Sequence, residues 1–203
     1  MTISGFITGY DIGVVSVVAL YLYDDGIHGI SSSDYKTSLF ISIGSLGAAF
    51  GAFISGNLMD KYGRKKIILI SDILYFLGGL LMVIAPGMNI LIFSRVLIGV
   101  ATGITSLNVP IYISEVCPTE MRGRVVAIYT FLVVFGTFLA NVIILFMPSK
   151  GYEWRILESV ALVFIIAQFV GVYHLPDSPR WLANNGRQDE ANDCIKQVYK
   201  PQF

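Results

Sequence analysis

Six long apolar runs constrain the fold more than any other feature of this 203-residue sequence. They cover residues 2–23, 38–59, 67–85, 89–114, 123–147 and 155–175. Each run is close to the roughly 20 residues that a helix needs to cross a hydrocarbon layer about 30 Å thick. Because a helix satisfies its own backbone hydrogen bonds in lipid, we predict an all-α membrane protein with a six-transmembrane-helix bundle.

Composition and motifs exclude several other classes of protein. The chain is 55% hydrophobic and only 14% charged, whereas soluble domains carry about 25% charged residues. Its formal net charge is zero, so nothing indicates nucleic-acid binding. We interpret Cys117 and Cys194 as free thiols. The sequence contains no phosphate-binding glycine loop, nucleophile elbow or set of metal ligands at a recognisable spacing, and we therefore expect neither an enzyme nor a bound metal or cofactor.

The lysines and arginines between the runs predict the orientation in the bilayer. Lys36 and Lys150 fall on one side of the membrane. The other side carries ten basic residues: Lys61, Arg64, Lys65, Lys66, Arg122, Arg124, Arg180, Arg187, Lys196 and Lys200. Because loops rich in Lys and Arg stay in the cytosol, we expect both termini to be cytosolic. The plasma membrane is favoured over an organelle membrane.

A polar segment follows the last run. Residues 176–203 are rich in charged and amide side chains, and the stretch GRQDEANDCIKQVYK has a helical spacing of apolar residues. Ala191, Ile195 and Val198 would lie on one side of that helix. We therefore divide the chain into a transmembrane unit, 1–175, and a short amphipathic cytosolic segment, 176–203.

Small residues recur at helical spacing in two of the runs. The second run contains Gly44, Gly47, Gly51 and Ser55, and the fourth contains Gly99 and Gly103. Small residues three or four apart let helix backbones approach closely in lipid. The pattern predicts tight helix packing and does not identify a substrate.

Charged residues also cluster at the ends of the runs, on the side predicted to be cytosolic. Asp60 and Arg64 are four residues apart and could pair on one helix face. Glu115 ends the fourth run and Arg122 opens the fifth. Such pairs contribute about 0–1 kcal/mol when exposed and more where water is excluded. A set of pairs that forms in one conformation and breaks in another would act as a gate.

The motifs around these charges resemble a known family. GNLMDKYGRKK at 56–66 resembles the G-x-x-x-D-R/K-x-G-R-R/K loop of the major facilitator superfamily, and PIYISEVCPTEMRGR at 110–124 resembles the P-x-Y-x-x-E-x-x-P-x-x-x-R-G segment of its sugar porter family. EWR at 153–155 and PDSPRWL at 176–182 resemble the W-R and P-E-S-P-R-W/F-L motifs, with Asp177 in place of the usual Glu. GYDIGV at 9–14 and SRVLIGVATG at 94–103 complete the series in order.

The resemblance carries expectations about fold and partners. Members of the family have twelve helices, arranged as two six-helix lobes with the substrate site between them. This chain resembles the amino-terminal lobe, followed by the start of the cytosolic helical linker at 176–203. The expected partners are a small sugar or polyol, a proton, the lipid bilayer, and the missing carboxy-terminal half or a second membrane protein. The PDSPRWL motif also adds Arg180 to the cytosolic gate.

Asp11 raises a separate question, because it lies near the middle of the first run. A carboxylate at mid-membrane costs on the order of 2.5–3.5 kcal/mol, so it needs a partner or a water-filled cavity. Arg95 in the fourth run is the best candidate. The pair could be static and fix helix register, or Arg95 could approach and retreat while Asp11 binds and releases a proton. Proton-linked sugar porters carry Asp and Arg at these two positions, so the resemblance favours proton coupling.

The remaining polar residues of the runs are candidates for substrate binding. In relatives a Gln on the fifth helix, about eight residues after the R-G pair, binds sugar hydroxyls, and here that place holds Thr130. Thr130, Thr137 and Asn141 would share one helix face and could bind a polyol, although threonines also bond back to their own helix. Tyr10 and Asn108 are further candidates for the cavity wall.

Two more acids, Asp72 and Glu158, also lie within the runs. We interpret both as residues of helix interfaces. Asp72 is close enough to the predicted cytosolic end to reach the loop lysines, and Glu158 lies near Arg155.

Two functions are consistent with the sequence. The first is transport of a hexose, pentose or polyol by alternating access, with proton symport, in which this chain forms one half of the carrier. The alternative is a truncated, non-transporting structural subunit of a membrane complex. Substituting Asp11 by Asn distinguishes them, because only a transporter would lose proton-driven accumulation.

Overall fold

The computed structural model describes residues 2–24, 34–146 and 153–198; Lys150 and Lys200 lie outside these ranges. The described residues form eight α-helices. These are α1 (Ile3–Asp24), α2 (Asp34–Tyr62), α3 (Arg64–Ile84), α4 (Met88–Val116), α5 (Thr119–Leu145), α6 (Glu153–Tyr173), α7 (Pro179–Asn184) and α8 (Gln188–Val198).

The first six helices confirm the predicted transmembrane bundle. Each is long and apolar enough to cross a membrane, with a mean hydropathy between 1.7 and 2.4. Helix α4 lies between α2 and α3, α1 packs against α5 and α6, and α3 also contacts α6. The buried side chains at the centre include Tyr10, Leu91 and Trp154.

Close backbone contact between α2 and α4 confirms the packing role of the glycine stripes. A Cβ added at Gly99 would lie 2.3 Å from the carbonyl oxygen of Gly44, and one added at Gly103 would lie 2.0 Å from that of Ala48. No side chain larger than hydrogen fits at these positions unless the helices separate.

The connection between α2 and α3 is shorter than the charged gap of residues 60–66 between the second and third apolar runs. Helix α2 continues to Tyr62 and α3 begins at Arg64, so that Gly63 alone separates them. Gly63 has a φ of 94°, and a Cβ there would lie 2.6 Å from Oδ2 of Asp177. Glycine therefore meets two demands at this position, a left-handed backbone and space for a neighbouring carboxylate.

Helices α7 and α8 pack together beside the ends of α2 and α4. We call this end of the bundle, where the α2–α3 and α4–α5 connections also lie, the basic end. The predicted amphipathic helix is present as α8, but its buried side differs in part from the expected one. Ala191 and Cys194 are buried, whereas Ile195 is 43% exposed, because α8 turns the face with the smaller side chains toward α7.

Candidate functional site

The middle of the bundle contains a buried ion pair. Nη1 of Arg95 on α4 lies 2.9 Å from Oδ1 of Asp11 on α1, and the two residues are only 6% and 7% exposed. The guanidinium also lies over the Phe40 ring, 5.5 Å from its centroid. A Cβ at Gly44 would lie 3.3 Å from Nη2 of Arg95. Helix α2 therefore leaves room for the Arg95 side chain at Gly44, and its Phe40 ring packs against the guanidinium.

A third charged side chain belongs to this group. Glu158 on α6 is 3% exposed and lies within electrostatic range of both Asp11 and Arg95. Its Oε1 atom occupies the space beside Gly79 of α3, where a Cβ would lie 2.9 Å away. Its Oε2 atom has no hydrogen-bond partner among the described residues. The sequence indicated an interface residue, and the structure places that residue beside the ion pair.

The composition of this group determines its chemistry. It brings two carboxyl groups, Asp11 and Glu158, together with a single guanidinium. Two buried carboxylates cannot both be neutralised by one arginine, and an uncompensated buried charge is costly. The group can therefore hold one proton on one of its two acids, and a displacement of Arg95 from Asp11 would favour protonation of Asp11.

A second ion-pair cluster occupies the basic end, with Arg64 at its centre. Nη2 of Arg64 lies 3.2 Å from Oδ1 of Asp60, which is the predicted pair one helical turn apart. Nε of the same guanidinium lies 3.0 Å from Oε2 of Glu115 on α4. Because the Glu115 side chain is 6% exposed and that of Asp60 is 73% exposed, the Arg64–Glu115 pair contributes more to stability.

The segment after α6 completes this cluster. The Ser178 hydroxyl donates to Oε2 of Glu115 at 2.5 Å, and the Trp181 indole donates to the carbonyl oxygen of Asp60 at 2.8 Å. Oδ1 of Asp177 accepts from the backbone N–H of Lys65 at 3.3 Å. These contacts hold residues 177–181 against the ends of α2, α3 and α4. Ser178 and Trp181 were not singled out from the sequence, since neither side chain carries a charge.

Two of the predicted gate residues are placed differently. Arg122 and Arg180 are both exposed, and among the described residues no ion pair joins Arg122 to Glu115. Glu115 instead faces Arg64, because α4 packs against α3 far more closely than against α5. Arg180 lines a cleft of about 640 Å³ that also reaches Glu115. The structure therefore brings together Asp60, Arg64 and Glu115.

The predicted substrate residues fall into two groups. Thr130 and Asn141 are exposed on α5, and they bond back to the carbonyl oxygens of Val126 and Thr137. The Thr137 hydroxyl donates to the carbonyl oxygen of Gly9 at 2.8 Å, across the α1–α5 contact. The α5 face thus keeps two polar side chains at the surface of the chain.

Tyr10 and Asn108 lie inside the bundle, and the structure does not bring them to an open cavity. Both are fully buried. The Tyr10 hydroxyl donates to the carbonyl oxygen of Leu157 on α6, and the Asn108 amide donates to that of Arg64. In this conformation both side chains tie helices together.

These features define a class of protein. The six-helix bundle has the major facilitator fold: it matches the solved proton:xylose symporter XylE, bound to 6-bromo-6-deoxy-D-glucose, with a TM-score of 0.85 at 22% identity. The match covers 97% of this chain and 48% of that structure.

The family follows from sequence comparison. The family model described as "Sugar (and other) transporter" matches residues 1–202, and the chain belongs to this family of multi-pass membrane transporters. Similar proteins include the probable inositol transporter 2 of Arabidopsis thaliana, at 36% identity over 97% of this chain and 34% of that protein. The proton myo-inositol cotransporter hmit-1.1 of Caenorhabditis elegans is 35% identical over 97% of this chain and 33% of its own length. The chain spans about a third of the length of these relatives.

Proposed function

We propose that this chain forms one six-helix lobe of a proton-coupled carrier for a sugar or polyol. The observation that carries the proposal is the buried Arg95–Asp11 ion pair, with a second buried carboxyl group, Glu158, in electrostatic range of both. A structural ion pair needs one acid and one base. The second buried carboxyl creates a place for an exchangeable proton, which symport requires.

The coupling follows from the position of the group. Asp11, Arg95 and Glu158 lie on three different helices, α1, α4 and α6. A rearrangement that moves α4 against α1 lengthens the Arg95–Asp11 contact and leaves Asp11 to take up a proton. The return movement restores the Arg95–Asp11 ion pair and expels the proton. Alternating access supplies this movement, because the lobes rock about a site near the middle of the membrane.

The polar face of α5 supports a substrate site on this lobe. Thr130 and Asn141 are exposed on α5 beside large exposed apolar residues such as Phe131 and Phe138. Lipid would be a poor environment for hydroxyl and amide groups, whereas a water-filled cavity between two lobes would suit them. We place the sugar or polyol at this face, together with Thr137, and we assign Tyr10 and Asn108 to the support of the bundle.

The carrier requires further helices. The chain covers about half of the solved symporter that it matches, so we propose that a second six-helix lobe, in the same polypeptide or in another, faces α5. The relatives' names include inositol transporters and a proton myo-inositol cotransporter, and a cyclic polyol is accordingly the first substrate to test.

The cluster at the basic end acts as the gate in this proposal. Arg64, Glu115 and Ser178 join α3, α4 and the segment before α7 in the conformation described here. Breaking these contacts would free the basic end to open. The predominance of Lys and Arg at that end supports a cytosolic location for it and for α7 and α8.

Substitution of Asp11 by Asn in the complete carrier tests the proposal. Uptake of labelled myo-inositol or xylose is measured at acidic and neutral external pH, together with exchange of labelled for unlabelled sugar at equal pH on both sides. Asp11→Asn should abolish proton-driven accumulation while exchange persists. The matched control, Asp193→Asn, alters an exposed acid on α8 and should leave both activities unchanged.

Two results would contradict the proposal. Accumulation that remains proton-driven in Asp11→Asn would remove Asp11 from the coupling mechanism. A complete carrier that shows no sugar-dependent flux, and in which Asp11→Asn changes only assembly or stability, would instead favour the structural subunit.

A further inference from the structure

A third buried acid lies on the outer side of the bundle, away from the Asp11 group. Asp72 on α3 is 1% exposed, and Gln168 on α6 is 3% exposed. Nε2 of Gln168 lies 2.6 Å from Oδ1 of Asp72. Asp72 could have reached the loop lysines at the basic end. It points instead at an amide on the neighbouring helix.

The surroundings of this pair are apolar. Asp72 lines a groove of about 230 Å³ between α3 and α6, and every other residue of the groove wall is hydrophobic: Ile73, Phe76, Leu77, Ile165, Ile166 and Phe169. Ile73, Leu77 and Ile166 are about half exposed, so the groove faces the lipid. An ionised carboxylate against this apolar wall would be poorly solvated.

No ion pair joins Asp72 to a cation in the described part of the chain, and its partner there is the Gln168 amide. The charged groups on the helices that surround α3 have other partners or lie at the ends of the bundle. Arg64 pairs with Asp60 and Glu115, Lys65 donates to the carbonyl oxygen of Tyr173, Arg95 pairs with Asp11, and Arg155 donates to the carbonyl oxygen of Ala85. Lys61 at the end of α2 and Lys66 in the first turn of α3 are both exposed at the basic end. Glu158 lies ten residues before Gln168, about 15 Å along α6.

One additional proton would explain the unpaired oxygen atoms of Asp72 and Gln168. Oδ2 of Asp72 and Oε1 of Gln168 are both buried and have no partner among the described residues. Each is an acceptor when the carboxyl is ionised. A proton on Oδ2 would turn that atom into a donor, and the unpaired Oε1 of the same neighbouring amide is an acceptor for it. Two reciprocal hydrogen bonds, O–H to amide oxygen and N–H to carboxyl oxygen, would then satisfy both side chains.

We propose that Asp72 is a second proton-binding site, which holds a proton from solvent as a neutral carboxylic acid paired with Gln168. This proton does not travel with the substrate. Asp72 faces a fixed amide, and no mobile guanidinium displaces the proton as Arg95 does at Asp11. The neutral acid–amide pair ties α3 to α6 within the membrane without placing a charge against lipid. The inference stands independently of the proposed transport.

Infrared spectroscopy of the purified chain in lipid nanodiscs tests the assignment. The difference spectrum between wild type and Asp72→Asn should show the loss of one C=O stretching band of a protonated carboxyl group. The same band should persist in Asp11→Asn. The control Asp193→Asn, which removes an exposed acid on α8, should lose only carboxylate bands at neutral pH.

Asp72→Asn removes one carboxyl group, which is either protonated or ionised in the wild type. The bands that disappear therefore show which of the two forms is present. Loss of carboxylate bands in that variant would overturn the proposal and show that the donor comes from elsewhere, such as a lipid hydroxyl in the groove. Gln168→Leu provides a second variant: it should shift the frequency of the acid band, and an unchanged band would refute the acid–amide pair. Since Asn copies the neutral acid, Asp72→Asn should also keep the wild-type melting temperature.

Discussion

The contact between α2 and α4 allows a quantitative prediction from a single methyl group. In Gly103→Ala, the added Cβ would lie 2.0 Å from the carbonyl oxygen of Ala48 and 2.8 Å from the backbone nitrogen of Ala52. Backbone atoms cannot rotate aside as a flexible side chain can. The two helices would therefore have to separate by about 1.4 Å to restore an ordinary contact distance of 3.4 Å.

The expected cost combines two opposing terms. Replacing Gly by Ala in a helix interior gains about 1 kcal/mol. Overpacking costs typically 1–3 kcal/mol and occasionally more. The upper end applies here, because the displaced atoms belong to backbone in the most extensive helix–helix contact of the bundle. We expect a net loss of about 2 kcal/mol, which corresponds to a fall of roughly 4–8 °C in melting temperature.

Gly56→Ala is the matched control. Gly56 lies inside α2, and no atom lies within 4 Å of its added Cβ. The same substitution should therefore show only the helix-propensity term and raise the melting temperature by roughly 2–4 °C. Thermal unfolding of both variants in lipid nanodiscs, followed by tryptophan fluorescence, measures the two shifts. Shifts of the same sign and size would refute the reasoning, because local space would then not decide the effect.

Two further predictions concern buried polar side chains. The Tyr75 hydroxyl lies 2.8 Å from Oγ1 of Thr102, so Tyr75→Phe should lower the free energy of unfolding by about 1 kcal/mol. The control Tyr129→Phe removes a hydroxyl that has no hydrogen bond in the described chain, and it should change the free energy of unfolding little. Equal losses in the two variants would contradict this prediction. Burial, reinforced by the nearby Asp177 carboxylate, raises the pKa of the Cys194 thiol, and burial also raises that of Cys117 despite a lowering contribution from a nearby arginine. Because Cys194 is 3% exposed, maleimide should modify Cys117 first at neutral pH, as measured by mass spectrometry. Both thiols should react fully after denaturation. Faster labelling of Cys194 in the folded chain would be inconsistent with its burial.

The features that sequence predicts well depend on position along one helix. Apolar runs of sufficient length predicted all six spans. The spacing of Asp60 and Arg64 predicted a pair on one helix face, and that pair is present. Asp11 and Arg95 were matched by their depth in the membrane, and the two side chains are in contact. Each of these inferences needs only a count of residues from a helix end.

The features that sequence missed depend on which helices are neighbours. The order of charges along the chain suggested Glu115 with Arg122, but α4 lies against α3 and Glu115 pairs with Arg64. Depth alone could not show that Glu158 faces the Asp11 group, since that depends on the rotation of α6 about its axis. The gap of residues 60–66 between the second and third apolar runs also suggested a longer connection than the structure has. A single glycine at position 63 is enough to turn the chain from α2 to α3.

The charges inside the membrane also suggest why two acid sites coexist. In the part of the chain that the structure describes, the spans bury three carboxyl groups, Asp11, Asp72 and Glu158, against one buried guanidinium, Arg95. Electrical neutrality within the bundle then requires about two protons on the three acids. The neighbours decide how each proton behaves. Asp11 and Glu158 compete for a guanidinium on another helix, so their proton can exchange when helices move. Asp72 has an amide fixed beside it on α6, and its proton can leave only if α3 and α6 part.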